Sequence, residues 1–304
     1  MKLSVSTLLI SLLFLTIISC GGNKPDFDGD SAFNYLVKQT EFGPRNPGSR
    51  GHKNTLNYLL TEMKMYADSV RAQKFTHFDN ETGISYDLTN ILASFGGFAS
   101  KRVLIGAHWD TRPRSDQDRI ASKRNQPLLG ANDGASGVAV LLELAKVLNE
   151  NPPPIGVDLV LFDGEDFGEE GDLDSYFLGS RHYSKNFTGQ IPEWAIIIDM
   201  VGDADLELPI ERYSFERNKK LVEKVWSAAE KVGASQFKRR LGDYVQDDHL
   251  MLYEHAGIKA IDIIDFDYSR GGVNLWHTSL DTPEMCSPAS LTAVGSTLIE
   301  LIYE

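Results

Sequence analysis

Five segments of the chain carry acidic or imidazole side chains where a cation could be held: His108-Trp109-Asp110, Asp133, Glu165-Asp166, Asp199 and Trp276-His277. Three of them follow apolar runs of strand character. Val103 to Ala107 leads into His108, Val157 to Phe162 into Glu165, and Ala195 to Ile198 into Asp199. In open α/β sheets ligands bind outside the carboxyl ends of the strands, so these groups should converge at one rim. A divalent cation is the simplest reason to gather so many carboxylates and imidazoles there.

Each residue alone has a plainer reading. Asp133 stands at a helix start and could be an N-cap. Glu165 and Asp166 follow Phe162-Asp163-Gly164 and could be solvated loop acids, and a lone His277 could be hydrogen-bonded support. Asp199 differs, because it follows Ile196-Ile197-Ile198 in an interior strand, where a carboxylate needs a partner. The joint occurrence is what points to a site.

The elements that must position these groups can be read from periodicity. Ala32, Phe33, Leu36 and Val37 form a helical stripe, and after the turn Phe42 to Gly48 a second helix spans about Arg50 to Ala67. Two β-rich segments follow, Val70 to Phe78 and Leu88 to Phe95, and then the strand ending at Ala107. The charged stretch from Thr111 to Leu129 is a long loop of the kind that is functional or mobile. Asn132 to Gly137 opens a helix, Val138 to Asn149, that is apolar almost all round and therefore buried. Further helices are expected near Asn218 to Val232, Asp247 to His255 and Ala289 to Ile302. Strands alternating with helices imply an α/β fold with a largely parallel sheet covered on both faces.

The chain has 304 residues, 42% hydrophobic and 24% charged, with a formal charge of −13. That acidic balance argues against nucleic-acid binding, which needs clustered Lys and Arg to release counterions. Lys238-Arg239-Arg240 reads as a solvated turn. At the N-terminus, Lys2 and the apolar stretch Leu8 to Ile18 form a signal too short for a comfortable membrane span. Ile17-Ile18-Ser19-Cys20 resembles a bacterial lipobox, so residues 1–19 are expected to be a lipoprotein signal, 20–30 a tether and 31–304 the catalytic domain. Membrane attachment through a lipid on Cys20 would place the protein in the bacterial cell envelope, periplasm-facing or associated with the outer membrane. Cys286 is then the only other cysteine, so no internal disulfide is available. A monomer is expected.

Larger motifs surround the five segments. They are Phe42-Gly43-Pro44-Arg45, Gly106-Ala107-His108-Trp109-Asp110, Gly130-Ala131-Asn132-Asp133-Gly134-Ala135, Phe162-Asp163-Gly164-Glu165-Asp166, Gln246-Asp247-Asp248-His249 and Trp276-His277-Thr278. In order and neighbours they resemble the zinc-dependent aminopeptidase family, and within it the glutaminyl-peptide cyclotransferases, from about Phe33 to the C-terminus. The resemblance implies a three-layer α/β/α sandwich with a mixed, largely parallel sheet, and one zinc per chain held by Asp133, Asp166 and His277. It implies Glu165 as general acid/base, Asp199 and Asp247 as acids in a hydrogen-bonded network with it, and Trp276 as a wall of the substrate pocket, with Gln246 beside it. His108 matches a ligand of the second metal that aminopeptidases carry, and is otherwise support. Arg45 receives no role beyond support.

The implied substrates are peptides and proteins with N-terminal Gln. Closing that residue to pyroglutamate requires the α-amine to attack its own γ-carboxamide, losing ammonia, with Glu165 moving the proton. By the same resemblance, Asp247 before Asp248-His249, Trp276 before His277, and the twelve residues Phe167 to Leu178 favour cyclisation over hydrolysis, since the family's aminopeptidases usually differ at each of these places. Asp166 departs from the Glu usual at that ligand position, and the Phe167 to Asp174 stretch lacks the Trp that animal cyclases carry. Because every ligand of a two-metal site is present, a two-zinc aminopeptidase is the alternative. A metal-stabilised binding protein is a weaker one, since it would not need Glu165.

Overall fold

The first two helices form on amphipathic, well-capped segments. In the computed structural model, which describes residues 24–97, 99–169 and 171–304, α1 spans Gly29–Thr40 with Asp28 capping Ser31 N, and α2 spans Arg50–Tyr66 with Ser49 capping His52 N. The signal segment and Cys20 lie outside the described residues. The tether expected over 20–30 ends earlier than its composition suggests. Phe27 is buried, with its ring against Gly295, and Lys24 pairs with Glu300 at 2.8 Å, so an aromatic anchor pins the segment before α1 begins.

The next elements are β1 (Ser69–Asp79), β2 (Ile84–Phe95), β3 (Arg102–His108), α3 (Ala135–Glu150), β4 (Gly156–Phe162), α4 (Leu178–Lys185) and β5 (Ala195–Asp199). Then come β6 (Leu208–Ile210), α5 (Arg212–Val232), β7 (Phe237–Leu241), α6 (Asp248–Ala256), β8 (Ala260–Ile264), β9 (Ser269–Arg270), β10 (Val273–Asn274) and α7 (Pro288–Ile302). The main sheet has the order β1-β2-β4-β3-β5-β8. Its β4, β3, β5 and β8 run parallel, while β1 and β2 form an antiparallel hairpin at one edge. The sheet is thus mixed and largely parallel, as expected.

Strand alternation divides the core into two layers. Val103, Ile105, Ala107, Ile196 and Ile198 pack toward α1, α3, α5 and α7, whereas Leu104, Val160, Phe162, Ala195 and Ile197 pack toward α4 and α6. Helices on both faces make the three-layer α/β/α sandwich. The helix α3 is buried along nearly all its length, which suits a segment between the sheet and other helices.

Helix α5 begins six residues before the expected Asn218, because Glu211 caps Tyr213 N and Ser214 N. It kinks at Asn218, whose Oδ1 accepts from Leu221 N and so re-caps the second segment, the one visible in the sequence. The long loop after β3 is pinned. Asp118 accepts from Ser279 N at 3.0 Å and Ser279 Oγ at 2.6 Å, and Gln117 N donates to His277 O.

Candidate active site

The parallel strands deliver the site at their carboxyl ends: His108 ends β3, Glu165 and Asp166 follow β4, and Asp199 ends β5. Asp133 precedes α3 but does not cap it. The cap is Gly134 at φ +95, where a Cβ would lie 2.4 Å from Asp110 O, so only glycine fits, and the Asp133 carboxylate is free to face inward.

Asp133, Asp166 and His277 each offer an atom within 4.8 Å of the others. His277 Nε2 lies 3.6 Å from Asp133 Oδ2 and 3.3 Å from Asp166 Oδ2. His108, Asp133 and Asp199 form a second such set, with His108 Nε2 at 3.2 Å from Asp133 Oδ1 and 3.1 Å from Asp199 Oδ1. Asp133 belongs to both. The link expected from Glu165 to Asp199 runs through the imidazole of His108, whose Nδ1 is 3.8 Å from Glu165 Oε2. Asp247 reaches the group by charge, with its Oδ1 on Asp248 N and its buried Oδ2 unpartnered.

Asp133, Glu165, Asp166, Asp199, Asp247 and His277 line a cavity of about 240 Å3 together with Gln246, Trp276, Tyr176 and Phe177, with His108 buried behind it. Trp276 stacks on His277 at 3.7 Å between ring centroids and meets the tilted ring of Phe266 at 5.3 Å. Leu173, Tyr244 and Phe266, all more than 40% exposed, ring the mouth. Burial pushes the Glu165 carboxyl well above the usual range, opposed by His108 and reinforced by Asp166 and Asp247. Burial would also raise Asp166, but His277 and Arg112 outweigh it and hold that carboxyl at about 2.

A model of peptidase family M28 matches residues 90–302. The chain belongs to that family. A glutaminyl cyclase of Bacteroides thetaiotaomicron, solved with N-acetylhistamine, is 37% identical at a TM-score of 0.88, over 93% of this chain and 99% of that one. A zinc-dependent exopeptidase of Parabacteroides distasonis is 38% identical at a TM-score of 0.87, over 92% of this chain and 99% of that one. An aminopeptidase of Bacillus subtilis is 29% identical over 66% of this chain, which spans 40% of that relative's length.

The donor set of this M28 chain fits zinc: two carboxylates and an imidazole, with Asp166 Oδ2 buried and lacking a hydrogen-bond partner. Further residues hold these three side chains in place. Arg112 donates from Nη1 to Asp166 Oδ1 at 2.7 Å and grips Asp116 through Nε and Nη2 at 3.0 and 2.6 Å. Asp116 in turn lies 3.6 Å from His277 Nδ1. Asp281 accepts from Asn132 N, Asp133 N and the Tyr268 hydroxyl, and Asp110 accepts from Glu165 N and Asp166 N. Behind the site, Asp163 takes the His52 Nε2 contact at 2.9 Å while Trp109 stacks on the His52 ring at 4.5 Å.

Arg45 acquires a role in this M28 site. Fully buried, it donates to the carbonyls of Trp109, Leu129 and Gly130 at 2.9, 2.8 and 2.7 Å, tying the segment before Asp133 to the end of β3. Among the described residues, three non-glycine residues have left-handed backbones, Phe177, Met200 and His277, and all three line the cavity. Such strain persists where surrounding contacts over-determine it, and it gathers at functional sites.

Proposed function

We propose that this chain is a glutaminyl-peptide cyclotransferase, converting N-terminal Gln of peptides and proteins to pyroglutamate with release of ammonia. The observation that carries the reading is the cavity. It is smaller than the roughly 300–1,000 Å3 of pockets for drug-sized ligands, so it suits one residue, and both Asp247 and Glu165 line it. Full-length likeness to a glutaminyl cyclase supports it.

Zinc bound by Asp133, Asp166 and His277 would supply Lewis-acid polarisation of the γ-carboxamide. Asp199 offers an acceptor for an N–H of the substrate's α-amine, and Trp276 walls the glutamine side chain into a folded conformation. Glu165 takes the proton from the α-amine and returns it to the departing ammonia; its raised proton affinity suits both halves of that exchange.

A second reading, a two-metal aminopeptidase, is favoured by the complete His108, Asp133 and Asp199 set. Peptides beginning with Gln and with Leu or Ala decide between them when ammonia and free amino acid are followed separately and zinc is counted. Ammonia from Gln peptides with one zinc supports cyclisation, and free amino acid with two metals overturns it. The lipobox-like segment supports attachment of Cys20 to an envelope membrane. Mass spectrometry of the mature N-terminal peptide would detect the lipid.

A further inference from the structure

The strand β8 carries an acid at its centre. Asp262 is fully buried, on the layer that also holds Leu252, Ile258 and Ala260, and neither of its oxygens has a hydrogen-bond partner. His249, in the first turn of α6, is 1% exposed with both ring nitrogens unpartnered, and Asp247 Oδ2 is likewise buried and unpartnered. One atom from each of Asp247, His249 and Asp262 falls within 4.8 Å of the others.

The orientation of His249 narrows what this cluster can hold. Its Nε2 lies 3.4 Å from Glu211 Oε2, and its Nδ1 lies 3.8 Å from Asp262 Oδ2. Glu211 already accepts from Tyr213 N, Ser214 N, Ser214 Oγ and Val245 N, bonds that favour its anion. The ring proton therefore belongs on Nε2, facing that anion, which leaves the Nδ1 lone pair turned toward Asp262. A lone pair and a carboxylate oxygen 3.8 Å apart are too far for a hydrogen bond and repel, yet they are spaced as two ligands of one ion. A histidine whose other nitrogen faces a carboxylate is the usual outer arrangement of a metal ligand.

We propose that Asp247, His249 and Asp262 form a second, interior divalent-cation site, with Glu211 orienting the histidine. The imidazole favours zinc, or copper, iron or nickel, over calcium and magnesium, which take oxygen ligands. A single proton shared by Asp247 and Asp262 would satisfy two of the unpartnered atoms and leave His249 Nδ1 alone. A cation engages all three residues at once. The site would hold β8 against the start of α6 whichever reaction the neighbouring cavity performs.

The test exploits Asp133, which the other two sets share. The double variant Asp133→Asn/His277→Ala disables those two sets and leaves the interior one intact. Stripped with a chelator, reloaded with zinc alone and desalted, it should retain one zinc per chain by elemental analysis, and zinc should raise its Tm. Adding Asp262→Asn, or separately His249→Gln, should abolish both effects. Should those variants fail to fold, zinc-edge anomalous diffraction from the double variant locates the ion. A double variant that binds no zinc and whose Tm ignores zinc overturns the proposal in favour of the shared proton, as does an anomalous peak anywhere else.

Discussion

Arg112 Nη1 holds Asp166 Oδ1 at 2.7 Å and leaves Oδ2 turned toward His277 Nε2, 3.3 Å away and without a hydrogen-bond partner. One oxygen of the carboxylate is committed to the guanidinium and the other is open, where zinc would bind. The shorter aspartate at this position thus comes with its own brace, which also steadies His277 through Asp116. Arg112→Gln should weaken zinc binding by roughly 10–100-fold, the usual cost of losing an outer partner of a metal ligand. Competition with a chromophoric chelator measures it, and unchanged affinity would remove Arg112 from the site.

Glu165 and His277 should separate chemistry from metal binding. Glu165→Gln should keep zinc and lose roughly 100- to 10,000-fold in turnover, the span assigned to a positioned acid/base. His277→Ala should lose the metal first. Full activity in Glu165→Gln would refute its role.

Arg45→Met leaves the carbonyls of Trp109, Leu129 and Gly130 without their buried donor. We expect a loss of about 3–5 kcal/mol in folding stability by urea denaturation, in the range for breaking a buried charged network. A change under about 1 kcal/mol would mean that water replaces the guanidinium.

Glu211 gives a stability signal with a definite sign. Burial opposes its ionisation, but His249 and Ser214 outweigh it and lower the carboxyl from 4.5 to about 2. The stabilisation is therefore complete above pH 4.5 and is lost as pH falls toward 2. Glu211→Gln should cost about 2 kcal/mol near neutrality, after discounting for solvent screening. The gap from the unaltered protein should narrow near pH 3. A gap independent of pH would contradict the assignment.

What the sequence made legible was the set of groups that apolar strands point at one rim. His108, Asp166 and Asp199 follow runs whose strand character is plain, and the structure brings them together with Asp133, Glu165 and His277. The braces escaped. Arg112 and Asp116 sit in a loop with no periodicity, where a charge looks solvated, and the capping work of Asp281 on Asn132 N and Asp133 N is a contact between residues far apart in the chain. Asp262 interrupts Ala260 to Ile264, which hides a core strand because an acid in its middle breaks the apolar run. Helix α5 shows only its second segment in the sequence, because the cap that starts the first is a glutamate, a less usual residue for that position.

The exposed ring of Leu173, Tyr244 and Phe266 sets the cavity opening at the protein surface. An occupant of the cavity has its first residue enclosed and the remainder of its chain in solvent. For a folded protein substrate, the rate would then follow how often its terminal residues detach from their own surface, and two proteins with identical first residues could differ by the free energy of that local fraying.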